Sequence, residues 1–273
     1  MPRVMIAERP GAGRTEDRVV VLPNAVALLD GATTLLPTAH DGGWYAERLG
    51  EALRTRLADG TGTDLADVLA AAIEDVVTTH DLRPGESPSS TVALVRWDDE
   101  VVEGLVLADS PVVAFTDADV HVVADHRLAQ VPRTVAYGPR LRAGGGFDDE
   151  HWATLVASAR GVREWRNREG GFWVAEAVPA AAHQAVRASW PRADVRAVVM
   201  ASDGVSCGVE DYGVFPDWSA LLACAERHGP DAVLDRVRAA EESDPDGRRW
   251  PRSKRHDDQS LAVIRFDGAA PPR

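Results

Sequence analysis

Three aspartates stand at the ends of uninterrupted apolar runs in this sequence. Asp30 closes "AVALLD", Asp109 closes "GLVLAD" and Asp203 closes "VVMASD". An Asp-Gly pair, as at Asp30 and Asp203, by itself predicts a turn, because glycine supplies a positive φ and aspartate tolerates one. Three carboxylates at the ends of buried strands, however, would repel one another unless a cation lay among them. The repeated arrangement therefore indicates a cation site.

Two acidic pairs extend this set: Glu16-Asp17 before the apolar run "RVVVL", and Asp257-Asp258 before "SLAVIRF". Taken alone, each pair is typical of a solvated loop or a charged strand edge. Together with the three aspartates they form an oxygen-only donor set, without Cys and without His at ligand spacing. Such a set favours Mg²⁺ or Mn²⁺ over zinc or copper.

Short apolar runs predict the strands that position these carboxylates. The chain opens with "RVMIA", "RVVVL" and "AVALL", and Pro23-Asn24 between the last two runs is short enough for a hairpin. From Gly43 the period becomes helical, in "GWYAERLGEALRTRLADG" and in "TDLADVLAAAIEDVVTTH", where Thr63 is the predicted N-cap. Two amphipathic helices therefore follow the first three strands.

The strand pattern returns after the helices in "SSTVALVRW", "EVVEGLVLAD", "PVVAFTD" and "ADVHVVAD", at intervals of about ten residues that indicate an antiparallel sheet. Residues 130–150 are predicted as a long loop. The elements predicted beyond it are a helix in "DDEHWATLVASARGVREWRN", a strand near Phe172, a helix near Ala180, a strand "RAVVMAS", helices at 218–228 and 231–241, and a strand "SLAVIRF". Because no linker divides the chain, we expect one α+β domain over residues 1–273, with packed antiparallel sheets and helices outside.

The composition narrows the class of protein. With 273 residues and 45% hydrophobic content the chain can bury a core of its own. The net charge of −13 argues against a nucleic-acid partner, since that contact needs a basic face. Cys207 and Cys224 form no Cys-x-x-Cys pair, so neither a disulfide framework nor a thiolate zinc site is expected. Without a signal peptide or a long apolar stretch, the sequence predicts no membrane span and a cytoplasmic location.

The order of the motifs resembles that of the metal-dependent serine/threonine protein phosphatases of the 2C type (PP2C-like, or PPM). The similar segments are "GRTEDR" for the Glu-Asp motif, "VALLDGAT" for the first Asp-Gly, "SSTVALV" for the Gly-Ser-Thr strand, "LVLADSPVVAF" for Gly-Asp-Ser-Arg, "VVMASDGV" for Ser-Asp-Gly and "HDDQSLAVIRF" for the closing Asp-Asn. Each is weak alone, but together they follow the family order through nearly the whole chain. The resemblance implies a sandwich of two antiparallel β-sheets flanked by α-helices, in agreement with the element pattern.

The resemblance also implies a centre of two Mn²⁺ or Mg²⁺ ions with a weaker third. In that centre Asp30 bridges two ions, Gly31 offers its carbonyl, Asp203 and Asp257 complete the ligand set of the second ion, Glu16 and Asp17 hold water ligands, and Asp109 belongs to the third site. The implied reaction is hydrolysis of a phosphoserine or phosphothreonine monoester in a phosphorylated protein substrate, through a metal-bridging water. Asp30, Asp203 and Asp257 are thus candidate catalytic residues as well as metal ligands.

Two candidate catalytic residues lie where the sequence departs from the family. The family places a phosphate-clamping Arg four residues before the Glu of its Glu-Asp motif, but that position is Ala12 here and Arg14 lies two before Glu16. The Arg14 guanidinium suits phosphate, although an exposed loop Arg is the alternative. The family motif Asp-Gly-x-Gly-Gly-His ends in a general acid, whereas His40 comes ten residues after Asp30. His40 is either that acid or a loop residue.

Further departures lie in other motifs. Ala108 replaces a Gly, Pro111 replaces the Arg after Asp109-Ser110, and Asp258 replaces the Asn of the closing motif, which adds negative charge beside Asp257. The segment around 130–172 corresponds to a variable flap of the family, whose Arg and Trp residues could bind a phosphopeptide. Its aromatic and aliphatic residues at helical spacing are alternatively part of the core.

Three functions remain open at this point. The first is a phosphoprotein phosphatase. The second is a catalytically degenerate protein that keeps the phosphatase fold and binds a phosphorylated partner, as the changes at the Arg and His positions suggest. The third is a two-metal phosphodiesterase or nuclease, because carboxylate clusters serve both chemistries, but the acidic charge disfavours it. The substrate and the oligomeric state are not encoded in any motif.

Overall fold

The computed structural model describes residues 2–35, 39–59, 62–133 and 135–266. The strands are β1 (Arg3–Arg9), β2 (Arg18–Leu22), β3 (Ala25–Leu29), β4 (Val92–Trp97), β5 (Val101–Leu107), β6 (Val112–Thr116), β7 (Val120–Val123), β8 (Val186–Pro191), β9 (Val195–Ala201) and β10 (Gln259–Arg265). The α-helices are α1 (Gly42–Asp59), α2 (Leu65–His80), α3 (Arg127–Gln130), α4 (Gly138–Arg142), α5 (Asp149–Arg163), α6 (Asp203–Glu210), α7 (Trp218–His228) and α8 (Asp231–Ser243). A 3₁₀ helix spans Pro179–Gln184.

The strands form two five-stranded antiparallel sheets. One has the order β1-β10-β9-β6-β7 and the other the order β2-β3-β4-β5-β8. Helices cover the outer faces of both sheets, with α1 and α2 on the second sheet and α6, α7 and α8 on the first. The predicted α+β sandwich of two antiparallel sheets flanked by helices is confirmed. Among the described helices, none combines the length and the apolar character that a membrane crossing requires.

Central strands of both sheets are buried on two faces, which explains their continuous apolar runs. All five residues of β3 are buried. Alternate side chains of such a strand point to opposite faces, so Val26 and Leu28 enter the layer between the sheets, while Ala27 and Leu29 pack against α1 and α2. The inter-sheet layer is completed by residues such as Ala93, Val95, Val198, Met200, Ala262 and Ile264.

The first half follows the predicted order of elements, with one change at a helix start. The N-cap of α2 is Asp64 and not Thr63, because the Asp64 carboxylate accepts a 2.8 Å hydrogen bond from the Ala66 N–H. The apolar face of this amphipathic helix, which includes Leu69 and Ile73, is buried and anchors α2 on the sheet. The prediction of an amphipathic helix here was right and its first residue was wrong by one position.

The second half departs further from the prediction. The predicted loop 130–150 contains α4, and the strand predicted near Phe172 is reduced to an isolated bridge. The helix near Ala180 is a 3₁₀ helix. Three further elements were missed: the short helix α3, the helix α6, whose opening Asp-Gly is typical of a turn, and the strand β8, which ends at Pro191. Proline is tolerated in β8 because this strand lies at a sheet edge.

The sheet registers bring the acidic residues of the sequence to one end of the sandwich. Since β3 and β5 both run antiparallel to β4, they are parallel to each other, and their last residues lie at the same end of the sheet. The register pairs at this end are Arg18↔Leu29, Val92↔Leu107 and Ala201↔Leu261. Asp17, Asp30, Asp109, Asp203 and Asp257 each lie next to one of these strand ends. The topology therefore brings the aspartates to the same end of the sandwich, as their positions at the ends of apolar runs predicted.

Candidate metal centre

Asp30 leaves the end of β3 on a tightly bonded main chain. Its N–H donates to the Thr91 hydroxyl at 3.2 Å, and the Thr91 N–H donates to the Asp30 carbonyl at 2.9 Å. The same Thr91 hydroxyl lies 2.7 Å from the hydroxyl of Ser110, which follows Asp109. Hydrogen bonds thus join the ends of β3, β4 and β5, so the backbone from which Asp30 and Asp109 project is held in place.

Gly31 lies where a side chain would not fit. A Cβ added there would lie 2.5 Å from the Gly42 carbonyl carbon and 2.7 Å from the Glu16 carbonyl oxygen. The Gly31 N–H also donates to that Glu16 oxygen at 3.3 Å. The close approach requires glycine on both sides, because a Cβ on Gly42 would in turn meet the backbone of Ala32.

This contact changes the interpretation of the Asp-Gly motif. The chain leaves Gly31 and returns to it at Gly42, so Gly42 lies next to the Asp-Gly pair in space, and Gly43 and Trp44 follow Gly42 in the sequence. Compared with the family pattern Asp-Gly-x-Gly-Gly-His, Trp44 lies at the position of the histidine. Segment 32–41 is then an insertion that contains His40.

The strand-end carboxylates act on one another electrostatically. Burial, followed by the charges of Asp17, Asp203, Asp257 and Asp109, raises the pKa of Asp30 well above its ordinary value. Burial and the charges of Asp257, Asp109 and Asp17 do the same to the pKa of Asp203. A cavity of about 230 Å³ is lined by four of these residues, Asp30, Asp109, Asp203 and Asp257. These side chains thus converge on one site, and their mutual repulsion makes the site attractive to cations.

Asp17 is fully buried beside this site without a hydrogen-bond partner for either carboxylate oxygen. Burial raises the pKa of Asp17 to about 7, and Asp258 and Asp257 contribute to the increase. The hydroxyls of Ser260 and Ser202 lie near enough to oppose that rise, but their geometry does not make a hydrogen bond. Buried polar groups are normally paired, so this carboxylate points to a partner such as a cation or its bound water.

Glu16 and Asp109 lie on the two sides of the centre. Burial raises the pKa of Glu16 to about 7, with the charge of Lys254 opposing this and those of Asp258 and Asp41 adding to it. Burial also raises the pKa of Asp109. Asp109 follows Ala108, which has a φ of 69°. That left-handed backbone is the conformation that glycine adopts most readily.

Asp258 has a different role from the one that its added charge suggested. One of its carboxylate oxygens accepts from the Gly11 N–H at 2.6 Å and the other from the Glu16 N–H at 2.7 Å. Both oxygens are therefore used to hold the segment that carries Glu16 and Asp17. Asp258 contributes charge to the surroundings of the centre while its hydrogen bonds serve the main chain.

Arg14 and His40 lie apart from the four aspartates of the 230 Å³ cavity. The Arg14 side chain is 76% exposed and its guanidinium contacts the Glu47 carboxylate at 3.0 Å. The His40 ring stacks on Trp44, with 3.8 Å between ring centroids. Both residues line a neighbouring cavity of about 280 Å³ that they share with Glu16. Arg14 also lines a cavity of about 450 Å³ together with Glu16 and Lys254, so both residues lie beside Glu16 and outside the 230 Å³ cavity.

Lys254 is a residue of the centre that the sequence analysis missed. Its Nζ lies 2.8 Å from Oδ1 of Asp257, and it lines the 230 Å³ cavity. Burial alone would lower the pKa of Lys254, but the carboxylates of Asp257, Asp30 and Asp203 outweigh burial and raise that pKa. One signal was available: Lys254 is the only lysine in the sequence, and it lies three residues before Asp257.

The residues fit a hard divalent cation in their chemistry. Every candidate donor is an oxygen, the Asp17 carboxylate is unpartnered, and Gly31 has the bare backbone that a carbonyl ligand needs. In the described ranges, however, no three His, Cys, Asp or Glu side chains already form a closed ligand set. Lys254 neutralises part of the cluster instead. The thiol of Cys207 takes no part, since burial raises its pKa well above the ordinary value.

Comparison with known proteins shows the fold. Neither a protein-family model nor a curated protein sequence matches the chain. Among solved structures, the serine/threonine phosphatase PstP/Ppp of Mycobacterium tuberculosis is 16% identical with a TM-score of 0.55, covering 97% of this chain and 99% of that one. A PstP catalytic domain in complex with two manganese ions is also 16% identical, with a TM-score of 0.54 and coverage of 97% of each chain.

Two further solved phosphatases also resemble the chain in structure. The PPM phosphatase MsPP of Mycobacterium smegmatis, in complex with cacodylate, is 14% identical with a TM-score of 0.54, covering 97% of this chain and 98% of that one. The serine/threonine phosphatase Stp1 of Staphylococcus aureus is 11% identical with a TM-score of 0.53, covering 98% of this chain and 96% of that one. The chain has the fold of the PPM-type serine/threonine phosphatases, as the motif order predicted.

Proposed function

We propose that the chain is a Mn²⁺- or Mg²⁺-dependent phosphoprotein phosphatase that hydrolyses phosphoserine and phosphothreonine monoesters. The observation that carries the proposal is the convergence of Asp30, Asp109, Asp203 and Asp257 on one cavity, with the unpartnered Asp17 beside it. The fold of solved serine/threonine phosphatases, one of them with two manganese ions, supports the same reaction.

The ligands would be those that the resemblance implies. Asp30, Asp203 and Asp257 with the Gly31 carbonyl would hold two ions, Glu16 and Asp17 would orient water ligands, and Asp109 would serve a third ion. Bound divalent ions supply activation of a water and neutralisation of the phosphate charge. The protein's own contribution is to fix the carboxylates at paired strand ends and to keep Gly31 free of a side chain.

Substrate would approach through a larger cavity of about 580 Å³ that shares Asp109, Asp203 and Asp257 with the smaller one. Arg142 and Arg249 line this larger cavity and suit an anionic phosphopeptide. The segment around 130–172 would act as the flap within the 1–273 domain. Val162, Arg166 and Phe172 from this segment line the cavity that holds Asp30.

The test is hydrolysis of p-nitrophenyl phosphate by the full chain with and without added Mn²⁺. We expect metal-stimulated turnover that falls by at least about 100-fold in Asp30→Asn and Asp203→Asn, since each change removes a carboxylate that would hold the metal ions. Asp246→Asn is the matched control, because Asp246 belongs to another Asp-Gly pair, is exposed and lines neither cavity. Absence of metal-stimulated hydrolysis of any phosphomonoester would overturn the proposal.

The second candidate is a degenerate protein that binds a phosphorylated partner without turnover. It is favoured by Trp44 at the histidine position, by the contact of Arg14 with Glu47, and by Lys254 among the carboxylates. Binding of a phosphopeptide without hydrolysis would support it. The nuclease hypothesis is disfavoured by the net charge of −13, and a DNA or RNA cleavage assay tests it.

A further inference from the structure

We propose that Lys254 is a built-in cation of the carboxylate cluster, whose ammonium occupies part of the space among Asp30, Asp203 and Asp257 and must withdraw before a divalent ion binds fully. This inference rests on the proposed function, since it concerns the same carboxylates. It adds that the chain sets its own metal affinity through one side chain.

The position of Lys254 supports this role. Its Nζ pairs with Oδ1 of Asp257 at 2.8 Å while 28% of the side chain stays exposed. Lys254 lines the cavity of Asp30 and Asp203, the larger cavity of about 580 Å³ beside it, and a cavity of about 450 Å³ that contains Glu16 and Arg14. The ammonium therefore has room to move from the cluster into adjoining space, which a fully enclosed side chain would not have.

The charges point the same way. The carboxylates of Asp257, Asp30 and Asp203 stabilise the ammonium of Lys254. In return, the charge of Lys254 opposes, without reversing, the rise that burial causes in the pKa of Asp203 and in that of Glu16. Lys254 thus interacts with carboxylates on both sides of the centre, as a divalent ion there would, but with half the charge.

The residue type matters because every other basic residue of the 30 in the chain is an arginine. An arginine guanidinium forms flat two-point contacts with carboxylates, whereas a lysine ammonium is a compact charge on a flexible stem. A cation that must give way to a metal ion is better made from lysine. The single lysine of the chain therefore lies at this acidic cluster.

The consequence is a competition between Lys254 and the divalent ion. In Lys254→Met the stem is kept and the charge is lost, so Mg²⁺ and Mn²⁺ no longer displace an ammonium. We expect their dissociation constants to fall by about tenfold or more, which corresponds to about 1.4 kcal/mol. We also expect the metal-free variant to melt at a lower temperature than the wild type, because its carboxylates have lost their partner.

Isothermal titration calorimetry of the full chain with Mg²⁺ and with Mn²⁺ tests the proposal. Arg255→Met is the matched control: it removes the same charge one residue away, from an exposed side chain, and should change either dissociation constant by less than about twofold. Lys254→Gln is a second neutral variant in case Lys254→Met does not fold. Lys254→Arg should bind metal no more tightly than the wild type.

A second measurement needs no variant. Protein labelled with ¹⁵N only in lysine gives one side-chain ¹⁵N signal, that of the ammonium, because Lys254 is the only lysine. Titration with Mg²⁺ should shift this signal in proportion to the metal bound. A signal that stays unmoved at saturating Mg²⁺ would overturn the proposal.

The outcomes separate this inference from the proposed function. If wild type and Lys254→Met bind both ions equally, the role of Lys254 is overturned and the metal centre stands. If only the neutral variants bind, the role of Lys254 is upheld and the wild-type chain is the degenerate protein. If neither binds either ion, both proposals are overturned.

Discussion

Asp258 and Asp257 are neighbours with separate tasks. Asp257 faces the cavity and Lys254, whereas the two oxygens of Asp258 hold the N–H groups of Gly11 and Glu16. An asparagine has only one acceptor oxygen to replace two. We therefore expect Asp258→Asn to lower the free energy of unfolding by about 1–3 kcal/mol, the cost of a lost hydrogen bond to a charged group.

Urea denaturation in the presence of a chelator measures this difference without a contribution from metal. Asp246→Asn serves as the control, because Asp246 is exposed and should change stability by less than about 0.5 kcal/mol. If Asp258→Asn is as stable as the wild type, the carboxylate does not anchor the segment that carries Glu16.

Ala108 holds a backbone conformation that suits glycine. Its φ of 69° lies in the left-handed region, where a Cβ costs about 1–2 kcal/mol. We expect Ala108→Gly to raise the free energy of unfolding by about 0.5–1 kcal/mol, since the relief of strain exceeds the extra entropy of the unfolded glycine. Ala223→Gly within α7 should do the opposite and lower stability by about 1 kcal/mol. Chemical denaturation of both variants gives the comparison, and a loss of stability in Ala108→Gly would contradict the strain.

At the scale of elements, Asp244 fastens the segment that leads from α8 to Lys254. Its carboxylate accepts from the N–H groups of Arg248 at 2.9 Å and of Trp250 at 2.9 Å, and contacts the Arg252 guanidinium at 3.3 Å. Burial alone would raise the pKa of Asp244, but these hydrogen bonds and the Arg252 charge outweigh burial and lower it.

Because the pKa of Asp244 is lowered in the folded chain, its contribution to stability decreases as the pH falls. Asp244 stabilises the fold fully above the unfolded pKa of about 4 and loses that contribution as the pH falls through the lower folded pKa. Asp244→Asn should therefore lose about 2–3 kcal/mol at pH 7, and the gap to the wild type should narrow below about pH 4. Urea denaturation of both proteins from pH 7 to pH 3 measures the gap. A gap that stays constant over this range would show that the charge of Asp244 is not what holds the segment.

Elements with strong periodicity were predictable, and weakly patterned ones were not. The run "AVALL" predicted β3 because both of its faces are buried, and the stripe of α2 predicted a helix against the sheet. The strand β8 was hidden because only Trp190 in it is buried. The helix α6 was hidden because it is short and begins on an Asp-Gly pair, whose local chemistry favours a turn.

The residues of the candidate site also divide into those that the sequence predicted and those that it did not. Asp30, Asp109 and Asp203 were visible because each ends an apolar run, which is a local property of the sequence. The positions of Trp44 and Lys254 at the site could not be predicted from the sequence. The position of Trp44 depends on the backbone contact between Gly31 and Gly42, and that of Lys254 depends on a cluster assembled from distant strands. Residues that act through contacts between elements require the folded arrangement.

At the scale of the whole molecule, metal binding should couple to folding. A ligand that binds only the folded chain stabilises it by about 2.7 kcal/mol at 100 times its dissociation constant, a melting-temperature increase of about 5–10 °C for a protein of this size. We expect this increase with Mg²⁺ or Mn²⁺, its reversal by a chelator, and its loss in Asp30→Asn. Differential scanning calorimetry measures it, and an equal increase in Asp30→Asn would place the bound metal elsewhere.

Gly31 and Gly42 touch through their main chains, although ten residues separate them in the sequence. Segment 32–41 therefore leaves and rejoins the fold at this contact, where the Ala32 N–H donates to the Ser89 carbonyl at 2.9 Å and Asp41 accepts from the Trp44 N–H at 2.7 Å. Its length can change at small entropic cost without moving Asp30 before this contact or α1 after it, provided that both glycines stay. For protein engineering, the interior of this segment can be exchanged for stretches of other lengths that vary what approaches the carboxylates, while Ala32, Thr33 and Asp41 beside the acidic cluster are kept.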